Sequence, residues 1–445
     1  MAGKKFRKLV LWLLCALMLL GACGQAAGEG KTVERAELLH VCSGEDNETC
    51  LAASADGTRF LVCRNNHPLI DLWIQDADGG SRKDLFLAGM TEEEAKNILE
   101  AVCAGEAARI KSQDRKAVQE KLVESRKTQY GTYPNALIRT VWQAPLPQYV
   151  KVAGDYVLLQ DPQAPASARI NMQTGETVLL YMASAWMAGD GTVLCRGAGS
   201  SGIQDLYLLP PDQAVPEQTA PLQLPDSFYP VDYSLQKDRT VWILGAGEME
   251  KVEKDGRKIF FRDYSLFHCD SSGAVLCRID AGKFNMSLSP SHVLYSERTG
   301  IGVVYSNMMA GGDLWIFGPE DDTLKPLVLE SMMPPALRPG ERNEVLDEYG
   351  MPTAVSRPLC VLGLSEGGTK LLVQDYMSRY LLSLDLRTLK ADILMTASEI
   401  VSFAEGHSAV PGPGLESASW NGRNIISGGR AVSGCAIRIP FPVED

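Results

Sequence analysis

The sequence predicts an all-β protein, a seven-bladed β-propeller with a helical-hairpin insertion after the first blade. Three observations predict it: a hairpin pattern that returns along the chain, an aromatic residue in the third strand of several units, and one amphipathic helical segment that interrupts the pattern. Four short strands in a unit of about 50 residues are the signature of a propeller. The 445 residues are enough for one large all-β domain or two ordinary ones.

The first unit shows the pattern most clearly, between Leu51 and Phe86. An apolar run ends at Ser-Ala-Asp-Gly, a second run follows as RFLVC, and a polar loop leads to LIDLWIQ and a further turn, DADGG. Asp-Gly and Asp-Gly-Gly between apolar runs predict hairpin turns, because glycine accepts the positive φ that such turns need. The unit is therefore predicted to be a four-stranded antiparallel meander.

The pattern returns along the chain and gives seven units in total. Four further units contain TVLCR, RTVWIL, GIGVVYS and TKLLVQD as second strands, and two weaker ones contain GDYVLLQ and WNGRNIIS. Asp-Leu-Trp or Asp-Leu-Tyr recurs at Asp71, Asp205 and Asp313. We expect this tripeptide to begin the third strand of a blade, with its aromatic side chain packed between neighbouring blades.

The first unit resembles the repeat of TolB-type propellers. The resemblance is close in that unit, partial in the SEGG and MAGDG units, and loose elsewhere, and it rests on Ser54, Asp56, Gly57, Asp71, Leu72, Trp73, Asp76, Asp78, Gly79 and Gly80. It covers most of residues 37–441 and implies a fold. It implies no activity, because propellers carry many unrelated functions.

One segment that interrupts the period is helical in pattern. Thr91 and Glu94 have the spacing of a capping box, and the apolar residues that follow fall on one helical face. With the similar segment Ser112–Lys127, they predict a helical hairpin over 91–128 with its break near Gly105. We expect this insertion to be dispensable for folding. Two Pro-rich segments, Pro210–Pro230 and Pro334–Pro352, are expected to cross between blades.

The two ends of the propeller domain, 37–445, are predicted to pair. The last unit supplies three strands and then only PVED, whereas the apolar run 37–42 precedes the first unit and has no blade of its own. Unpaired strand edges invite aggregation. We therefore expect residues 37–42 to form the outer strand of the last blade.

The N-terminus has the pattern of a secretory signal. Four basic residues precede the apolar run Leu9–Leu20, which is too short for an ordinary membrane span of about 20 residues. LGAC, ending at Cys23, resembles the lipobox of bacterial lipoproteins. The resemblance implies a signal peptide over 1–22 and a fatty acid such as palmitate attached to Cys23. Residues 23–36 are expected to form a flexible tether. An uncleaved anchor helix remains the alternative.

Charge and location restrict the partners. The formal net charge of −12 opposes binding to nucleic acid. The lipid predicts a cell-membrane protein on the extracytoplasmic face, with the membrane as one partner and a protein or glycan as a further one. Which membrane is meant, where a cell has two, stays open.

Three motifs have the outline of a chemical site and are better explained as turns or loops. GLSEG, with Ser365, fits the serine-hydrolase pattern, but a strand follows it where that pattern needs a helix. Gly197–Gly202 fits the dinucleotide pattern and is likewise followed by a strand. Asp76–Gly80 lacks the glycine and glutamate that an EF-hand loop needs at its sixth and twelfth positions. We expect no catalytic residue, cofactor or metal at any of them.

The remaining reactive or aromatic residues predict structural roles. No C-x-x-C or histidine pair with ligand spacing is present, and a Cys42–Cys50 disulfide stays open. Histidines occur at His40, His67, His268, His292 and His407. Tryptophans after the signal segment are Trp73, Trp142, Trp186, Trp242, Trp315 and Trp420, for which core packing is favoured over a sugar-binding platform.

The expected function is that of a binding or scaffold module with an unidentified ligand. The alternative is a propeller-fold hydrolase or lyase with its site at the central channel. Several carboxylates, histidines or a metal in mutual reach at the channel mouth would favour the enzyme. A broad apolar patch on the helical insertion would favour the binding module.

Overall fold

The computed structural model describes the propeller domain in segments. They are residues 37–41, 48–66, 69–85, 91–110, 114–141, 150–160, 167–180, 183–198, 204–213, 222, 225, 228–254, 257–285, 289–306, 314–327, 332, 359–365, 367–375, 380–396, 418–420, 424–427 and 435–438. Within these segments, no helix has the length and hydropathy needed to cross a membrane.

All strand pairing in the named sheets is antiparallel, and each strand pairs mainly with its neighbour in the chain. The first two four-stranded sheets are β2 (Glu48–Ala53), β3 (Arg59–Asn66), β4 (Leu69–Asp76) and β5 (Arg82–Asp84), and then β6 (Val150–Ala153), β7 (Tyr156–Gln160), β8 (Ser167–Asn171) and β9 (Thr177–Leu180). A three-stranded sheet follows, with β10 (Ala183–Met187), β11 (Val193–Ala198) and β12 (Gln204–Leu209).

Four more sheets complete the described strands. They are β13 (Tyr229–Leu235), β14 (Val241–Lys254), β15 (Arg257–Cys269) and β16 (Val275–Asn285); β17 (Pro290–Ser296), β18 (Ile301–Ser306), β19 (Leu314–Phe317) and β20 (Lys325–Leu327); β21 (Leu359–Leu364), β22 (Lys370–Asp375), β23 (Leu381–Asp385) and β24 (Lys390–Met395); and β25 (Ala418–Trp420), β26 (Asn424–Ser427) and β27 (Cys435–Arg438) with β1 (Glu37–His40). The first strands of successive sheets contact one another in a closed ring.

The prediction of seven four-stranded blades is wrong, because six blades of four strands are present in the described residues. The sheet of β10 to β12 stops at three strands. Pro210 and Pro211 follow β12 directly, and proline has no N–H with which to continue a ladder. One bridge stands where a fourth strand is expected: the Leu222 N–H donates to the Leu206 carbonyl at 2.7 Å.

The ends of the domain do pair as predicted. β1 is antiparallel to β27, with Glu37 opposite Arg438 and His40 opposite Cys435. β1 is the outermost strand of its sheet, in the order β1-β27-β26-β25. The two chain ends therefore cover each other's open edges.

The predicted two-helix insertion is also wrong, because the described residues contain three helices. They are α1 (Glu92–Arg109), α2 (Arg115–Tyr130) and α3 (Tyr133–Val141). Gly105 lies inside α1, which ends at Arg109, and α2 begins at Arg115. The capping box of Thr91 and Glu94 is confirmed.

The helices share one apolar core with the first two blades. Leu99 of α1, Val123 of α2 and Leu137 of α3 pack in the same cluster as Leu61 of β3 and Val157 of β7. All five side chains are buried. This packing does not support the expectation that the insertion is dispensable for folding.

The recurring aromatic residue lies in the third strand, as predicted. Trp73 lies on β4 and packs with Val41, which follows β1 of the last sheet. Trp315 lies on β19, and its ring centroid is 5.2 Å from that of Phe284, on the last strand of the preceding blade. These side chains therefore lie between neighbouring blades.

Candidate functional site

A cavity of about 760 Å³ opens at one mouth of the central channel. Its lining comes from β6, β10, β13, β17 and β21 and from the turns that follow these five first strands. Its charged lining residues are Lys151, Lys237, Arg298 and Glu297. The mouth therefore has more cationic than anionic groups, in a chain whose formal net charge is −12.

The rim of the cavity is closed by tight turns. Gly154 has φ +57°, and a Cβ placed on it would lie 2.7 Å from the carbonyl oxygen of Gly189 in the next turn. A Cβ on Gly189 would in turn lie 3.2 Å from Cε of Lys237. Only glycine allows the turns after β6 and β10 to approach this closely, and that approach brings Lys237 over the mouth.

Lys151 is the least exposed of the three cationic residues that line the cavity. Its ammonium nitrogen lies 4.7 Å from the ring centroid of Trp186, within the range of a cation–π contact. The side chain keeps some accessible surface because it faces the cavity, although protein surrounds it. Desolvation lowers the pKa of Lys151, and attraction to the carboxylate of Asp232 opposes that effect.

Asp232 and Ser234 connect β13 to the open edge of β17. The Val293 N–H donates to Oδ2 of Asp232 at 2.9 Å, and the Tyr295 N–H donates to Oγ of Ser234 at 3.0 Å. Edge N–H groups without partners are costly when buried. These two side chains therefore join neighbouring first strands where no ladder does.

His292 lies beside this connection. Its Nδ1 is 3.5 Å from Oδ2 of Asp232, and its ring stacks on Tyr305 with centroids 4.8 Å apart. Burial, with the negative charge of Asp232 as a smaller cause, raises the pKa of Tyr305. β13 and β17 thus share a histidine–carboxylate contact, but the carboxylate also accepts a backbone N–H.

The structure places the predicted turn motifs in turns. Ser365 is buried, its N–H donates to the Lys370 carbonyl at 2.8 Å, and its Oγ accepts the Lys370 N–H at 3.2 Å. Asp76 accepts the Gly79 N–H at 2.9 Å, and Gly79 has φ +71°. Within the described residues, no group of three or more His, Cys, Asp or Glu side chains has the geometry to hold a metal ion.

The aromatic residues divide between core and cavity. Trp73 and Trp242 are buried, as core packing predicts, whereas Trp186 lines the cavity. His268 stacks on Trp242 with centroids 4.5 Å apart, and burial lowers the pKa of His268.

Several predicted residues fall wholly or partly outside the described part of the chain. Cys23, with the signal and tether, falls there, as do Cys42 of the possible disulfide, His67, His407, Trp142, residues 199–202 of the glycine motif and most of both Pro-rich segments. For His40 and Trp420 the structure describes only the strand.

Sequence reasoning missed Lys151, Ser234 and Asp232 as members of a site. The sequence did contain a signal for the first two. Three rim residues, Gly154, Gly189 and Lys237, each follow by three positions a residue that lines the cavity: Lys151, Trp186 and Ser234. Aligning the units on their turns therefore places these side chains at one level of the channel. No comparable signal distinguishes Asp232.

The chain was compared with known proteins. No protein-family model matches it, and no curated protein matches it. Similar solved structures include a putative TolB from Agrobacterium tumefaciens, with 13% identity over 57% of this chain and 83% of that chain and a TM-score of 0.35. Another is the WD40 repeats of RRP9, with 9% identity over 91% of this chain and 98% of that chain and a TM-score of 0.43.

A TolB from Acinetobacter baumannii is also similar, with 10% identity over 86% of this chain and 81% of that chain and a TM-score of 0.33. TolB and WD40 propellers are thus among the solved structures similar to this chain. At these identities and TM-scores, they carry no argument about ligand or activity.

Proposed function

We propose that this protein is a lipid-anchored β-propeller of the extracytoplasmic face of the cell membrane, and that it is a binding module whose ligand occupies the channel mouth. The observation that carries the binding function is the cavity of about 760 Å³. Small-molecule sites have volumes of about 300–1,000 Å³ and lie in concave, largely preformed positions.

The anchoring part of the proposal rests on the sequence. The basic residues before Leu9, the apolar run to Leu20 and the LGAC that ends at Cys23 form one ordered pattern. A single acyl chain binds a membrane only marginally, so stable anchoring needs two or more. Labelling cells with a fatty-acid analogue should mark the protein, and Cys23→Ala should abolish the mark. Continued labelling of that variant would exclude Cys23 as the attachment site.

The chemistry of the channel supports binding over catalysis. Asp232 is held by the Val293 N–H, which ties its carboxylate to the connection between β13 and β17. A general base needs a proton acceptor that is directed at the reacting group. In the described part of the helical insertion, the exposed large apolar side chain is Ile110, which follows α1, so no broad apolar patch supports a docking role there.

Site-specific cross-linking tests the position of the ligand. A photoreactive amino acid at Lys237, on the rim, should capture a ligand in intact cells. The same group at Lys258, which is exposed on β15 and does not line the cavity, is the matched control. Capture at Lys237 but not at Lys258 is expected. Equal capture at both positions, or none at Lys237, would contradict a ligand site at the channel mouth.

A further inference from the structure

The charge of the channel mouth is opposite to that of the chain as a whole. Three cationic side chains and one carboxylate line the cavity, although acidic residues outnumber basic ones by 55 to 43 in the sequence. Charges that line a concave site with walls of low dielectric concentrate the field inside it. The cavity therefore attracts negative charge more strongly than the outer surface does.

Lys151 lacks a carboxylate of its own. In the part of the chain that the structure describes, its ammonium group forms no ion pair. Asp232, the carboxylate whose charge acts on it, is held by the Val293 N–H and lies beside His292. An enclosed ammonium group without a direct ion pair is costly, and an anionic ligand in contact with it would offset that cost.

Ser234 supplies a hydrogen-bond donor at the same level. Its Oγ accepts from Nε2 of Gln236 at 3.1 Å and from the Tyr295 N–H at 3.0 Å. A hydroxyl has two acceptor lone pairs and one proton. Because both lone pairs are occupied, Ser234 can act on a ligand only through its O–H, as a donor. It lines the cavity together with Lys151.

Part of the remaining wall is apolar. The ring of Trp186 faces the lysine side chain, and Leu294 and Leu362 also line the cavity. An aromatic face beside an ammonium group and a hydroxyl donor suits a molecule that is anionic at one end and flat and apolar at the other. The volume of about 760 Å³ is sufficient for such a small molecule.

Resting on the proposed function, we infer that the channel mouth binds a small organic anion. Lys151 and Ser234 hold its carboxylate or phosphate oxygens, and its apolar part lies against Trp186. A lysine binds both kinds of anion as a point charge, so carboxylate and phosphate share this chemistry.

Calorimetric titration of the full-length protein with simple probes tests the inference. Benzoate and phenyl phosphate carry the two anions on the same ring, and benzamidine carries a cation on it. We expect the anions to bind and benzamidine not to bind. Whichever of benzoate and phenyl phosphate binds with the lower Kd identifies the group, carboxylate or phosphate, that the site prefers.

Substitutions then assign the binding to the cavity. Lys151→Met should weaken the anions about tenfold or more, because a hydrogen bond to a charged group is lost. Lys258→Met, at an exposed site outside the cavity, should leave them unchanged. Lys151→Met should unfold at the same temperature as the parent or higher, since it removes an enclosed ammonium group that has no direct ion pair in the described residues.

The outcomes separate this inference from the proposed function. Unchanged anion affinity in Lys151→Met, or equal binding of benzamidine, would overturn the inference while leaving a ligand site at the mouth. If no probe binds but Lys237 still captures a ligand, the inference is likewise overturned and the ligand site at the mouth is kept. Absence of both probe binding and capture would overturn the two proposals together. A fall in the unfolding temperature of Lys151→Met with full anion affinity would show a structural lysine.

Discussion

Arg169 contacts the segment that follows β12 in the three-stranded sheet, and replacing it tests whether the guanidinium holds that segment. The side chain, on β8, is 2% exposed. Its guanidinium donates to the carbonyl oxygens of Gly191 at 2.9 Å and of Pro210 at 3.2 Å, and it also contacts that of Pro211. Backbone carbonyls before β11 and after β12 thus solvate a buried cation, and burial lowers its pKa.

The loss expected for Arg169→Met follows from these contacts. Two hydrogen bonds to a charged group contribute about 1.5–3 kcal/mol each. Methionine removes the desolvation cost of the guanidinium, and water can reach the half-buried Pro210 carbonyl, so the net loss in the free energy of unfolding is about 2–4 kcal/mol. By the scaling of about 2–4 °C per kcal/mol, the melting temperature should fall by roughly 5–10 °C.

Thermal unfolding and hydrogen exchange provide the measurements. Arg169→Met should also expose the amides of Gln213 and Leu222, whose hydrogen bonds to Pro210 and Leu206 are 3.0 and 2.7 Å long. Arg115→Met, at an exposed position on α2, is the control and should change stability by less than about 0.5 kcal/mol. If Arg169→Met melts like Arg115→Met and its exchange is unchanged, the guanidinium does not hold this segment.

Four further changes test the fold and its pH dependence. Gly154→Ala should lower the free energy of unfolding by about 2 kcal/mol more than Gly79→Ala, because both have positive φ but only the first would meet a neighbouring backbone carbonyl; equal losses in urea unfolding would contradict the close contact at the rim. Leu99→Ala should lower the free energy of unfolding by about 2–5 kcal/mol and Ile110→Ala should hardly change it, since the first side chain is buried with the blades and the second is exposed. A small loss for Leu99→Ala in chemical unfolding would support the expectation that the insertion is dispensable for folding. Burial raises the pKa of Cys269 to about 11 from 9.0, so the protonated thiol stabilises the fold below pH 9, and this contribution is lost as the pH rises to about 11; Cys269→Val should flatten the alkaline loss of melting temperature, and an unchanged profile would assign that loss to other groups. Deletion of β1 should lower the melting temperature and promote aggregation, because β27 becomes an open edge, and light scattering like that of the parent would argue against that role.

Features that depend on neighbouring residues were predictable from the sequence. The turns at Ser54 and Ser365 form as predicted, because each serine hydroxyl accepts the N–H of the residue five positions later. The capping box at Thr91 forms for the same reason, since Glu94 is one helical turn away. Trp73 lies on the third strand of its blade, which was predictable because two connections between strands precede it in that unit. The pairing of β1 with β27 was also predictable, by counting strands that lacked partners.

The channel-mouth site was predictable only in part. The alignment of turns places Lys151 and Ser234 at one level, but it does not say that Lys151 lacks an ion pair in the described residues. That depends on Asp232, 81 positions away in the sequence, being held by Val293. The third helix was missed because Pro134 lies in its first turn, where proline is tolerated but where it also marks a loop.

The sequence by itself determined the repeated hairpins, their turns, the third-strand aromatic residues and the closure of the two ends, because each follows from short-range chemistry or from counting strands. Only the tertiary structure decided that one sheet has three strands in the described residues, that the helices share the core of the first two blades, and that a lysine without a direct ion pair there faces a cavity. The physical reason is distance along the chain. Arg169 acts on carbonyls up to 44 residues away, and the enclosure of Lys151 comes from five different strands. Burial and charge depend on which distant segments come into contact, and a pattern of neighbouring residues does not specify those contacts.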